Sequence, residues 1–132
     1  MLPIIAFMMM LGSIMPATAQ QTSWPPITPI KRTVLQKFEV PGTNYETVVG
    51  LAEIAPNVLI GRHTHFGVES GYVIEGDGVL LVEGAPDKPF KPGDSYQIPS
   101  GAKHDARSGA NGTKIIATYV VEKGKPFATP AP

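Results

Sequence analysis

The chain contains no cysteine. Disulfides, thiolate nucleophiles and zinc–thiolate sites are thereby excluded. An excess of one charge is also missing: eleven Lys and Arg balance eleven Asp and Glu over 132 residues. With no long run of like charge, neither nucleic acid nor an anionic membrane surface is expected as a partner. No segment carries apolar residues at spacings of three and four over a helical length, so helices are not expected. Histidine is scarce, with three in the chain, His63, His65 and His104. Glycine and proline are plentiful, at fourteen each, which points to a turn-rich, all-β domain. The length suits a single domain.

Charge is absent before Lys31, and all five methionines fall within the first fifteen residues. The apolar run of residues 2–15 is followed by Ala17-Thr18-Ala19, a small-x-small pattern. Residues 1–19 therefore read as a secretory signal peptide cleaved near Ala19, which predicts a periplasmic or secreted mature protein. No Lys or Arg precedes the apolar run, so an uncleaved anchor is the alternative. The run is shorter than the ~20 residues of a spanning helix, which favours cleavage and no stable membrane insertion afterwards. Residues 20–32 hold Pro25, Pro26, Pro29 and Trp24 and read as an extended arm, because proline fixes φ and removes a donor. The Pro-rich segment 124–132 reads as a flexible tail, leaving 33–123 as the folded domain.

Within that domain, short β-type runs are cut by Gly and Pro. Strands are expected over 34–38, 47–54, 58–65, 71–75, 79–83, 94–98, 103–107 and 113–122, with a loop or short strand in 86–92. Gly76-Asp77-Gly78 reads as a hairpin turn, since Asp and Gly tolerate positive φ. About nine short strands suggest a barrel or a sandwich.

The chemistry-bearing residues converge on 57–76. His63 and His65 are two apart, so an extended strand turns both imidazoles to one face. Glu69 follows after a break at Gly67. Two imidazoles and a carboxylate make three ligands for a divalent metal. Parity then turns Gly61, Val73, Ala106 and Ser108 inward with the ligands, and Arg62, Thr64, Tyr72, Lys103, Asp105 and Arg107 outward. Tyr96 and Ile98 share a face, expected to be the inner one, which makes Tyr96 a candidate catalytic residue.

These residues resemble the two motifs of the cupin superfamily. His63, His65, Glu69 and Gly76 fall at the spacings of G-x5-H-x-H-x3-4-E-x6-G, with Asn57 in place of the opening glycine. Gly93, Pro99, Gly101 and His104 fall at those of G-x5-P-x-G-x2-H-x3-N, with Ser108 where Asn is usual. The resemblance is to small, single-domain, secreted bacterial cupins. It implies a double-stranded β-helix, or jelly-roll, barrel holding one divalent transition metal on His63, His65, Glu69 and His104. The ligand types suit Fe, Mn, Ni, Cu or Zn without choosing among them.

A metal with open positions implies a metal-dependent enzyme acting on a small molecule, with oxygenase chemistry favoured. The alternative is a non-catalytic extracytoplasmic module that holds a small ligand or a metal. Cupin epimerases use a His–Tyr pair, and this chain has no spare histidine. Cupin lyases that cleave dimethylsulfoniopropionate carry a tyrosine two residues after the motif glutamate, where this chain has Gly71. Lyase and isomerase are therefore less favoured. Cupins commonly pair as dimers, and the N-terminal arm with 34–38 is the expected pairing edge.

Overall fold

The computed structural model describes residues 29–132. The expected signal segment 1–19, Trp24 and most of the Pro-rich arm lie outside the described residues. Eight strands are formed among the described residues and pair antiparallel throughout: β1 (Ile30–Glu39), β2 (Tyr45–Ile54), β3 (His63–Thr64), β4 (Gly67–Val82), β5 (Lys88–Phe90), β6 (Ser95–Ile98), β7 (His104–Glu122) and β8 (Thr129–Pro130). The path β1-β2-β7-β3-β8 is joined by β4, which pairs with β5, β6 and β7. This curled sheet is a double-stranded β-helix.

Two expected breaks are absent. The segments 71–75 and 79–83 are one strand, β4, and 103–107 runs on into 113–122 as β7. The two long strands pair from Gly67↔Val121 to Val82↔His104, with register shifts near Gly76. Gly76-Asp77-Gly78 is thus not a hairpin but a barrel corner at which both strands bend together. Gly76 has φ 74° and Gly112 has φ 70°, and a Cβ on Gly76 would run into the Gly112 carbonyl. The same residues that permit a hairpin here permit a bulged bend, because the partner strand is distant in sequence.

Strand alternation packs the interior. Val73, Leu80, Phe90, Ile98, Ala106, Ile115 and Ala117 form the buried core, and Val73 is fully enclosed. Each larger member contributes roughly 1.5–3 kcal/mol on burial. Asn57 takes the left-handed conformation at φ 57°, as its replacement of a motif glycine requires. Ser108, in place of the usual Asn, ties β7 to the 55–58 turn: it donates to the Ala55 carbonyl at 2.5 Å and accepts from the Val58 N–H at 2.9 Å.

Both ends of the domain differ from expectation. β1 begins at Ile30, so the last residues of the expected arm are strand. The tail expected to be flexible is laid across the barrel. β8 pairs with β3 at His63↔Pro130 and Thr64↔Thr129, the Ala131 N–H donates to the Arg62 carbonyl at 3.0 Å, and Ala131 is buried. Thr129 completes the ladder of a two-residue strand that would otherwise be a bare edge.

Candidate metal centre

The topology returns His104 to the first histidines. β7 pairs on one side with β3, placing His104 opposite His63, and on the other with β4, which carries Glu69. The ring centroids of His63 and His104 lie 4.3 Å apart, those of His63 and His65 4.9 Å. One ligand atom from each of His63, His65, Glu69 and His104 falls within 4.8 Å of all the others. His65, Glu69 and His104 are buried and His63 is half-buried, so the cluster opens toward solvent on the His63 side.

Each imidazole is oriented by a backbone carbonyl. Nδ1 of His63 donates to Gly61 at 2.7 Å, that of His65 to Phe127 at 2.6 Å, and that of His104 to Ala102 at 2.9 Å. A carbonyl oxygen only accepts, so Nδ1 carries the proton in all three rings. In the neutral rings Nε2 is then a lone pair. Glu69 Oε2 lies 3.1 Å from His104 Nε2 and 3.3 Å from His65 Nε2, and His65 Nε2 is buried without a hydrogen-bond partner. Facing lone pairs at such distances repel unless a proton or a cation stands between them. A proton relieves one contact, whereas a divalent cation satisfies all four groups. The residues therefore fit a metal, with the outer hydrogen bonds that commonly hold ligating histidines in place.

The electrostatics agree. Burial alone would raise the Glu69 carboxyl, but contacts from His104, His65 and Tyr96 outweigh it and lower the pKa to about 2. Burial would lower His104, yet its hydrogen bond to Glu69, the Ala102 carbonyl and the Glu69 charge raise it. His63 is lowered, first by burial and then by the neighbouring imidazoles. Glu69 stays ionised at neutral pH, as a ligand must.

Tyr96 is on the inner face, as parity predicts, and its hydroxyl donates to Glu69 Oε1 at 2.8 Å. Gly71 makes this possible. Gly71 and Tyr96 are register partners, and a Cβ at residue 71 would collide with the Tyr96 ring. Burial and the Glu69 charge raise the Tyr96 phenol above its ordinary value.

The lining carries polar groups beyond the four candidate ligands. An inner cavity of about 50 Å³ is bordered by Arg32, His63, Glu69, Tyr96, His104 and Tyr119 among apolar core residues. It opens to a cleft of about 550 Å³ at the mouth. Tyr119 is the register partner of Glu69 and stands edge-on to His65 at 5.0 Å. The alternation Ile115, Ala117, Tyr119, Val121 was the signal that could have found it. Asp105, expected to point outward, is buried under the 58–61 segment, where its Oδ1 accepts from Gly61 at 3.0 Å and Ala106 at 2.7 Å.

Residues 50–122 match the family described as Cupin domain. The chain belongs to the cupin family. No curated protein matches it in sequence. Among solved structures, it is similar to an RmlC-like cupin from Shewanella frigidimarina (25% identity, 82% of this chain, 91% of that one, TM-score 0.60). It is also similar to the DMSP lyase DddQ from Ruegeria pomeroyi (19% identity, 64% and 43%, TM-score 0.57). A third is a salicylate 1,2-dioxygenase from Pseudaminobacter salicylatoxidans (14% identity, 55% and 20%, TM-score 0.52). The lyase and dioxygenase likenesses concern the fold alone. This cupin spans less than half the length of the DMSP lyase structures it matches.

Proposed function

We propose that this cupin is a metal-dependent enzyme, with one divalent transition metal on His63, His65, Glu69 and His104 and oxygenase-type chemistry on a small molecule. The observation that carries the metal is the set of three imidazoles, each with Nδ1 bonded to a backbone carbonyl, whose ligand atoms gather within 4.8 Å of one another and of the Glu69 carboxylate, with Nε2 of His65 and His104 facing it directly. Such a metal supplies Lewis-acid chemistry, and redox chemistry where it is Fe, Mn or Cu. The protein's part is to orient the ligands through carbonyls, to hold Glu69 with Tyr96, and to leave the His63 side open to the cleft. Apolar walls at Ile60, Ile115 and Ala117 restrict water in the inner cavity. The test is oxygen uptake by the Fe-, Mn- and Cu-loaded protein with candidate small molecules. Uptake that disappears in Glu69→Ala supports the reading; a bound metal with no uptake and no turnover favours the alternative, a non-catalytic binding module.

A lyase reading is favoured by one observation, since Tyr96 puts a phenol into the space that Gly71 leaves open. That phenol already donates its proton to Glu69. It therefore acts as a positioning group for a ligand more readily than as a base, and the oxygenase reading stands first.

The proposal extends to location and assembly. Cleavage near Ala19 would deliver the protein to the periplasm or beyond. A second copy is the natural cover for β1, which among the described residues is an edge strand that exposes Val34, Leu35 and Phe38. An unpaired apolar edge of this kind favours homodimer formation, and a monomer mass by light scattering at micromolar concentration would contradict it.

A further inference from the structure

Arg32 belongs to neither cupin motif and lies outside the family-matched stretch. Ile30, Arg32 and Val34 alternate onto one face of β1. Arg32 pairs with Ala52 of β2, and Ala52 in turn pairs with the core residue Ile115. That face is therefore the inner one, and the small side chain at residue 52 leaves room for a guanidinium over the barrel mouth. Arg32 borders the inner cavity beside His63, Glu69 and Tyr96, and it also borders the outer cleft beside Tyr119 and Phe127.

Arg32 is exposed at the mouth, and two observations leave its guanidinium free to take a ligand there. First, among the described residues Arg32 makes no ion pair and no side-chain hydrogen bond, and residues 1–28 contain no Asp or Glu that could supply an ion pair. The other arginine of the cleft, Arg62, is held by Glu83 at 3.0 Å. Second, the acids bordering the cavity are engaged elsewhere. Glu69 serves Tyr96 and the imidazoles, and Asp105 accepts from the backbone of Gly61 and Ala106. A guanidinium stays charged at any physiological pH. Its planar fork matches a carboxylate in two parallel hydrogen bonds. A single fork bordered by Ile60 and Phe127 suits a monoanion better than a phosphate dianion, which draws a cluster of donors.

We propose that Arg32 is the carboxylate anchor of the metal site, so that the ligand is a small organic acid. Its acid group lies on Arg32, its body lies in the cleft, and its other end faces the open His63 side of the centre. The inner cavity is small beside the cleft, about 50 Å³ against about 550 Å³, so the body of the acid stays in the cleft and its reacting end enters the cavity. The inference rests on the metal-site reading for what the far end meets, but not for the anchor itself.

The test is calorimetric titration of propanoate and benzoate against propanamide and benzamide. It is run on metal-loaded and metal-free protein, with metal content measured in every sample. The acids should bind roughly ten- to hundredfold more tightly than the amides, the range of a charge-assisted hydrogen-bond pair. Arg32→Gln should abolish that preference without changing metal content, Arg32→Lys should retain part of it, and Arg62→Gln should leave it intact. Equal binding of acids and amides would overturn the anchor. So would a preference that survives in Arg32→Gln, or no acid binding up to roughly 10 mM. Those results in a metal-loaded protein leave the metal centre standing. A wild type that takes up no metal yet loses its acid preference in Arg32→Gln would keep the anchor and reject the centre.

Discussion

The two ends of the described chain meet at the same barrel mouth and contribute in opposite ways. β1 is ten residues long, lies almost wholly exposed, and brings one charged side chain, Arg32, to the cavity. The C-terminal segment forms a strand of only two residues, yet it brings a backbone atom to a metal-ligand candidate: the Phe127 carbonyl holds His65. Its Phe127 ring also packs edge-on against His65 at 5.3 Å and Tyr119 at 4.7 Å. The family-matched middle, 50–122, carries all four candidate ligands. The flanks thus divide the remaining tasks, one bearing on what enters and the other on how firmly a ligand is aimed.

That division can be broken experimentally. Deleting 124–132 removes the acceptor of His65 and should weaken metal affinity roughly ten- to hundredfold, the usual loss for a group that orients a metal ligand. Arg32→Gln should leave affinity within about twofold, because Arg32 touches no ligand; its test is given by acid binding. Competition against a chelating dye measures both. Equal affinities for the deletion and the full chain would show that the strap is packing alone. Phe127→Ala sharpens the point, since it removes the ring but keeps the carbonyl, and it should fall between the two.

A second contrast separates the middle from both ends. Gly71→Val places a side chain where the Tyr96 ring lies, and overpacking of this kind costs about 1–3 kcal/mol. The hydroxyl would leave Glu69, so thermal stability and metal affinity should fall together. A variant that keeps both would mean that the barrel yields without moving Tyr96.

Acid stability of the metal-free protein gives a smaller effect with a definite sign. The folded Glu69 pKa of about 2 lies below its ordinary 4.5. The group therefore stabilises the fold above pH 4.5, and that contribution is lost as pH falls toward 2. Denaturant titrations across this range should show the loss in wild type and in Arg32→Gln alike. In the tail deletion the limb should move upward, because a loosened His65 contacts Glu69 less. The smallest effect belongs to the outer surface of β1. Phe38→Lys should lower the dimer fraction seen by light scattering and leave metal affinity within about twofold.

The parts of this architecture that were legible in the sequence are those written in side chains. Spacing pointed to His63, His65 and Glu69, the resemblance to the second cupin motif added His104, and alternation turned Tyr96 inward. What escaped was written in the backbone or in long-range pairing. Gly76-Asp77-Gly78 has the composition of a hairpin, and only the distant Gly112 makes it a corner. The tail looks frayed because proline and glycine dominate it, yet its carbonyls and N–H groups serve β3 and His65, and an acceptor that every residue possesses leaves no mark in the sequence. Arg32 was hidden because the prolines before it suggested an arm, which masked the alternation Ile30, Arg32, Val34.

The central claim is that four side chains hold one metal. Elemental analysis of protein purified without chelator or affinity metal, wild type beside His104→Ala, tests it most directly. About one equivalent of Fe, Mn, Ni, Cu or Zn in wild type, falling below roughly a tenth in the variant, is the predicted result. No metal in wild type even after reconstitution, or the same content in His104→Ala, would contradict it.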